Sequence, residues 1–489
     1  MQGKKDYQEK LFISFQLSDR IPQENFYRRL KESLDLSFVR RHTCHLYGSE
    51  GQKSIDPVVF FKLMLIGYLE NTNSDRKILE QASMRMDMLY FLDYDIDEEL
   101  PWHSTLSRTR KLYGDELFLL VFRKVLSLCV ERGMVNGQMQ AVDSAYVKAN
   151  ASMDSLVAKQ IEEGTVGYLQ ELSQNEEPAQ PKSWSNSKWT STTDPDARIS
   201  KKKHQQLQLN YAAQVSVDTA SHVICGALAD YADKRDSRSM KAVVKQTYVG
   251  LETQGITVQE VLADTNYSSG SVLKFLDEQG IGGFIPCHGG YKPERGEFTY
   301  DKEKRCYVCP QGKMLPFKNF SFRAGRARRV YWSSKTVCGS CSQKESCAGK
   351  RGFKMLEETV YKSLYDSMHQ KVTSKRGKRM RKLRSATVEP VLASLLCFFG
   401  MRRVNSKGIS SANKHVLMAA TAYNIKKMMR YSKPKQPIAA VLAEVGATAG
   451  LKQTIFLIYQ QVEVYFNRIR TSRSIALRKH PTLSVNIEY

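Results

Sequence analysis

Two aspartates stand at positions where the backbone reads as leaving a strand. AVDSAYVKA carries Asp143 and VLADTNYS carries Asp264, each at the C-terminal end of a short predicted strand. A side chain there can leave the sheet and reach solvent or a metal ion, although such aspartates also serve as ordinary helix caps. A third acid, Glu389 in RSATVEPVLASLLCFFG, lies near the start of an apolar helix, where it could equally be a first-turn partner of the helix dipole. Mg2+ takes hard oxygen ligands, usually one or two carboxylates plus substrate phosphate oxygens. Two such ions roughly 3.5 to 4 Å apart activate an attacking oxygen and stabilise the leaving one. Three acids brought together would suit that chemistry.

The cysteines offer a second metal chemistry. Of the 10, Cys44, Cys129, Cys225, Cys287 and Cys397 stand alone in apolar surroundings and read as inert thiols. The others crowd into one segment as Cys306-x-x-Cys309, Cys338-x-x-Cys341 and Cys347. Paired CxxC elements at this separation can supply four thiolates to a structural Zn2+, and five thiols for four positions leave the choice open. A module that folds by packing alone is the alternative.

Basic residues gather beside both. RAGRARR at 323 to 329 puts four arginines, among them Arg326 and Arg328, inside the cysteine-bearing segment. From Lys371 to Arg384 eight of fourteen residues are basic, including Lys378, Arg379, Arg381 and Arg384, and this run leads into the Glu389 helix. Phosphate contact next to the chemistry is the expected use of such a run. Arg108, Arg110 and Lys111 on a predicted helix opening at Ser104 could lie on a DNA backbone or on an exposed face.

These residues need elements to position them. Asp56-Pro57 is a cap followed by proline at the first helical position, opening VVFFKLMLIGYLE. Further helices are predicted from Ser104 to Gly114 and from Asp115 to Glu131, with no strand-like alternation, so residues 1–136 should be helical. Leu207 to Val217 then alternates apolar with polar residues, predicting a strand with one buried face, and HVICGALAD returns as its hairpin partner. Helix and strand alternate thereafter, which predicts a mixed sheet with helices packed on it over 137–290. The segment 151–205 reads as a polar insertion, 291–350 as a small Cys-rich module with little periodicity, and 351–430 as the second part of the core with helix from about Val388. A tail follows over 431–489, with one apolar helix near 454–466.

Bulk properties agree with a DNA partner without proving one. The chain has 489 residues, 74 Lys plus Arg against 50 Asp plus Glu, and a formal net charge of +24, which favours polyanions. Its apolar runs are too short to span a bilayer, and the first fifteen residues lack the apolar stretch of a signal peptide. A cytoplasmic protein without membrane contact is expected.

Taken together the segments resemble the DDE transposases of bacterial insertion sequences, in particular the subgroup with an N-terminal helical domain and a cysteine-bearing insertion. VDSAYVKANAS, VLADTNYSSG and RSATVEPVLASL resemble the blocks around that family's three acids, and Ala422, Asn424 and Lys427 match its AxNxxK element. IDPVVFFKLMLIGYLEN, WHSTLSRTRK, TDPDAR and LNYAAQVSVD follow the family's order over roughly 55–430. Two positions depart: Arg381 stands where relatives often have Tyr, and Leu396 where they often have Lys. The resemblance implies an α+β chain in which the helical domain precedes an RNase H-like mixed-sheet core that carries the Cys-rich insertion. It implies Asp143, Asp264 and Glu389 as catalytic ligands of Mg2+ or Mn2+, and Cys309, Cys338, Cys341 and Cys347 as the zinc set, with Cys306 spare. It also implies nucleoid-associated action by a homodimer or larger assembly on terminal inverted repeats and target DNA, with Asn424 and Lys427 joining the basic residues on DNA. A non-catalytic DNA-binding regulator and a plain RNase H-like nuclease are the competing functions.

Overall fold

Asp56 accepts a hydrogen bond from the Val58 N–H at 2.8 Å, and Pro57 takes the first helical position, as the sequence predicts. In the computed structural model, residues 2, 5 and 14–431 are described, apart from 49, 52, 160–183, 202–205, 290 and 324. The predicted C-terminal helix at 454–466, the tail after 431 and most of the polar insertion fall outside the described residues.

The chain opens with helices α1 (Leu17–Arg20), α2 (Phe26–Ser33), α3 (Phe38–Thr43), α4 (Pro57–Leu69), α5 (Asp75–Ser83), α6 (Met86–Leu92), α7 (His103–Leu112) and α8 (Asp115–Glu131). No described residue before Met139 is in a strand. Every residue of α4 after Pro57 is buried, so this helix is the axis about which α3, α5 and α6 pack.

The sheet follows: β1 (Met139–Lys148), a short hairpin of β2 (Leu156–Ala158) and β3 (Trp189–Ser191), then β4 (Arg198–Ser200), β5 (Gln208–Asp218), β6 (Ile224–Tyr231), β7 (Glu260–Leu262) and β8 (Gly282–Phe284). The main sheet runs β5-β1-β7-β8, with β4 and β6 sharing the outer edge of β5. β1, β5 and β6 are antiparallel neighbours, whereas β1, β7 and β8 are parallel. Helices α9 (Asp236–Glu252) and α10 (Gly270–Glu278) provide the crossovers that parallel strands require.

Two strand predictions need correction. β1 does not end at Asp143 but runs on to Lys148, because β5 continues to pair with it. β5 is buried along both faces from Leu209 to Asp218, since its polar residues face other core elements rather than water.

A second antiparallel sheet is built from β9 (Thr299–Asp301), β10 (Cys306–Val308), β11 (Met314–Arg323), β12 (Arg326–Trp332) and β13 (Met355–Thr359), with short helices α11 (Lys335–Gly339) and α12 (Lys344–Ala348). Its extension to Thr359 carries the insertion beyond the predicted limit at 350. Among the described residues its own apolar core is a cluster of Tyr307, Leu315 and Tyr331, and both tyrosine hydroxyls donate to the buried Glu358 carboxylate, at 2.5 and 2.9 Å.

The chain then returns through α13 (Lys362–Thr373), α14 (Lys375–Phe398) and α15 (Ile409–Arg430). Helix thus resumes well before Val388, and the basic run is itself helical. α15 packs on α4, α8 and β6, and one apolar core runs from Tyr27 to Met429 through helices and main sheet. No described helix is long and apolar enough to cross a membrane.

Candidate active site

The parallel register of β1 and β7 aligns Ala141 with Leu262. Two residues further along each chain are Asp143 and Asp264. A two-residue step keeps the side chain on the same face, and neighbouring strands lie about 4.8 Å apart, so the two acids become neighbours. β7 ends at Leu262, and Asp264 caps the turn Thr265–Tyr267 by accepting the Asn266 N–H at 2.9 Å. Asp264 therefore does stand just past a strand end, as the sequence predicts. Asp143 is exposed to the same space because its parallel neighbour stops.

Glu389 arrives on α14, which lies across β1, β5, β7 and β8. Met380, Thr387, Val388, Val391, Leu392 and Leu395 bury one side of this helix, while Glu389 remains exposed on its shoulder. Pro390 follows inside the helix, so the Ala386 carbonyl lacks its usual backbone partner one residue after the acid.

Asp143, Asp264 and Glu389 line one cleft of about 1410 Å³, whose wall also includes Arg384, Asp236, His288, Arg326 and Leu396. Arg384 connects two of the acids: its Nη1 lies 2.7 Å from Asp143 Oδ2, and its Nη2 lies 3.2 Å from Glu389 Oε1. Burial pushes the Asp143 carboxyl above its ordinary value; Arg384 opposes the rise and Asp264 adds to it. Asp264 is also raised, first by burial, against the Asn266 N–H and Arg384, with Asp236 adding to the rise. Both acids thus sit where negative charge is penalised and a cation would relieve the penalty. Among the described residues, no three His, Cys, Asp or Glu side chains gather closely enough to hold one ion as they stand. The acids fit a divalent cation in donor type and in alignment, and a guanidinium holds the place between Asp143 and Glu389.

Sequence reasoning missed Asp236. It begins α9, accepts the Gln214 amide at 2.9 Å, and Gln214 in turn accepts the Tyr267 hydroxyl at 2.6 Å. The signal was available as an acid opening a helix directly after a strand. The exposed phenylalanines of β11, Phe317, Phe320 and Phe322, were also missed, although they are interspersed with the polar residues Lys318, Asn319 and Ser321 next to the hairpin that carries Arg326 to the cleft.

The basic candidates divide. Lys378, Arg379 and Arg381 are exposed along α14, and Arg108 and Lys111 are exposed on α7. Arg328 is engaged by Glu357 at 3.0 Å. Arg110 requires correction as a DNA contact: it is buried, with its Nη2 2.6 Å from Asp75 Oδ1. Asn424 requires the same correction. It is fully buried and clasps the Ile224 backbone, accepting its N–H at 2.9 Å and donating to its carbonyl at 2.8 Å. Lys427 is half-buried on α15 and lies outside the cleft lining.

Cys309, Cys338, Cys341 and Cys347 line one small pocket of about 390 Å³, whereas Cys306 is buried in β10 and takes no part in it. Cys309 Sγ accepts the Lys313 N–H at 3.3 Å, and Ser333 Oγ lies 2.7 Å from Cys338 Sγ. Four thiols, two of them with an N–H or hydroxyl partner, fit a thiolate metal site in chemistry.

Residues 15–112 match a family model described as a transposase domain, DUF772, and residues 308–429 match a transposase DDE domain. Similar solved structures include a Mos1 transposase paired-end complex with left transposon end, at 11% identity and a TM-score of 0.17, covering 50% of this chain and 62% of that one. The Mos1 mariner paired end complex with Mn has 11% identity and a TM-score of 0.16, covering 56% and 76%. A piggyBac transposase synaptic complex with hairpin DNA has 11% identity and a TM-score of 0.21, covering 87% and 84%. The chain thus spans 62% of the first of these proteins. No curated protein matches the sequence. With a transposase domain at one end of the chain and a DDE domain at the other, it belongs to the DDE transposases of insertion sequences.

Proposed function

We propose that this protein cuts DNA at the ends of its insertion sequence and joins the freed ends to target DNA, using Asp143, Asp264 and Glu389 to hold two Mg2+ or Mn2+ ions. One observation carries the reading: acids from three distant segments line a single cleft beside β1 and the end of β7. The strand order β6-β5-β1-β7-β8, with three antiparallel strands followed by two parallel ones, supports an RNase H-like core.

Divalent ions bound there supply charge to the scissile phosphate and an activated water. The chain's own residues do the rest. Asp143 and Asp264 are fixed by strand register, and Glu389 by a helix clamped across the sheet. Lys378, Arg379 and Arg381 offer a row of charge for DNA backbone leading to the acids, and Arg326 offers another from the opposite hairpin. Arg108 and Lys111 extend the basic surface onto the helical domain. The module of residues 299–359 would hold Zn2+ through Cys309, Cys338, Cys341 and Cys347 and keep that hairpin in place. The partner is double-stranded DNA, terminal inverted repeats and target, engaged by a homodimer or larger assembly.

The test is a strand-transfer assay on duplexes carrying the element ends, with and without Mg2+. Wild-type protein cuts and joins, while Asp143→Asn and Asp264→Asn each reduce cutting about a thousand-fold or more and leave end binding nearly intact. Cutting that survives both substitutions overturns the assignment. Cutting without joining would favour a plain nuclease, and end binding without Mg2+-dependent nicking a regulator.

A further inference from the structure

Arg384 is poorly explained as an ordinary surface ion pair. Its side chain is only 12% exposed, and its guanidinium spans two acids from different elements, Asp143 on β1 and Glu389 on its own helix. Helix partners normally sit three or four residues apart. Glu389 is five residues on, outside that spacing, and the same guanidinium also reaches Asp143 on β1. Nη2 also donates to Ser385 Oγ at 3.1 Å, and Nε is buried with no hydrogen-bond partner. A buried guanidinium that leaves one donor unused is poorly satisfied where it stands.

We propose that Arg384 is a resident cation that holds Asp143 and Glu389 together until divalent ions enter, and that it then turns to the DNA phosphate. Resting on the two-metal reading above, this makes Arg384 a positioning residue that competes with metal for the same two carboxylates. With Arg384 in place the three acids carry one compensating charge. Once two divalent cations are held, the site has excess positive charge, and a guanidinium between the carboxylates is repelled. An anionic phosphate in the cleft offers it a bidentate alternative. DNA binding and metal binding therefore support each other, because DNA draws Arg384 off the carboxylates and metal releases it toward the phosphate.

The test uses full-length protein without DNA, with Mn2+ binding followed by electron paramagnetic resonance. Arg384→Gln should bind Mn2+ about tenfold more tightly than wild type, and Arg384→Lys, with a more compact charge, should fall between. Adding a duplex carrying the element end with a non-cleavable phosphate should tighten Mn2+ binding in wild type and change it little in Arg384→Gln. Thermal unfolding provides the second readout: Ca2+ should raise the melting temperature more in Arg384→Gln than in wild type. If Arg384→Gln does not fold, the lysine variant carries the same comparison. Unchanged or weaker Mn2+ binding in the folded variants overturns the proposal while the two-metal reading survives. A wild-type protein that binds no Mn2+ with or without DNA overturns both.

Discussion

The acid cleft and the cysteine module are both candidate metal sites, and they are supported in opposite ways. The cleft sits on a sheet that shares its core with most of the molecule, and its acids are fixed by register and helix packing. Its charges are poorly satisfied within an architecture that does not depend on them. The module has an apolar core of three residues, and its thiols come from turns and two short helices. The first site should tolerate loss of its ligand groups and lose chemistry; the second should lose its shape.

The largest expected effect therefore lies in the module. Chelation, or Cys338→Ser, should release bound zinc and open residues 310–350 to protease, since structural zinc contributes about 10 kcal/mol or more to such small units. The helical circular dichroism of the rest should persist. Cys306→Ser should keep full zinc content, which separates the four pocket thiols from the buried fifth. Zinc lost in Cys306→Ser but retained in Cys347→Ser would contradict the assignment.

Next come positions that look functional in the sequence but act as packing. Arg110→Ala leaves the partly buried Asp75 without its partner and should cost about 3 kcal/mol in denaturant unfolding. Asn424→Ala strips two backbone bonds and should cost about 2–4 kcal/mol. Arg379→Ala should instead leave stability within about 0.5 kcal/mol of wild type and lower the salt slope of DNA binding by about 1.

A small effect on stability is also expected at Asp264. An acid raised above its ordinary value holds its proton more tightly folded than unfolded, so the metal-free protein loses stability as pH rises from the ordinary carboxylate range through the raised value. Asp264→Asn retains an oxygen to cap the Asn266 N–H, removes that pH slope, and should be within about 1 kcal/mol of wild type or above it at neutral pH. A marked loss of stability would place Asp264 with the packing residues.

Much of this was legible in the sequence because local rules governed it. The Asp56-Pro57 cap and the bounds of α8 needed no tertiary information. Asp143, Asp264 and Glu389 were legible as motifs, although their meeting depends on register that no single segment encodes. Arg110 failed for the opposite reason. Leu106, Thr109, Arg110 and Tyr113 form one buried helical stripe, but a charge on such a stripe reads as exposed until its distant partner Asp75 is known. The second sheet was hidden because most of β11 faces outward and its core is too small to impose alternation. The place of Asp236 in the cleft wall and the bridging role of Arg384 became visible only once strands, helix and cleft were assembled.

The central claim is that three acids, spread over about half the chain, share one cation site. Replacing Mg2+ with Fe2+ and adding ascorbate and peroxide generates hydroxyl radicals at the metal, and peptide mapping locates the backbone cuts. The account predicts cuts beside Asp143, Asp264 and Glu389 together, suppressed by excess Mg2+ and absent in the Asp143→Asn, Asp264→Asn double variant. Cuts confined to the cysteine segment, or beside one acid alone, would contradict it.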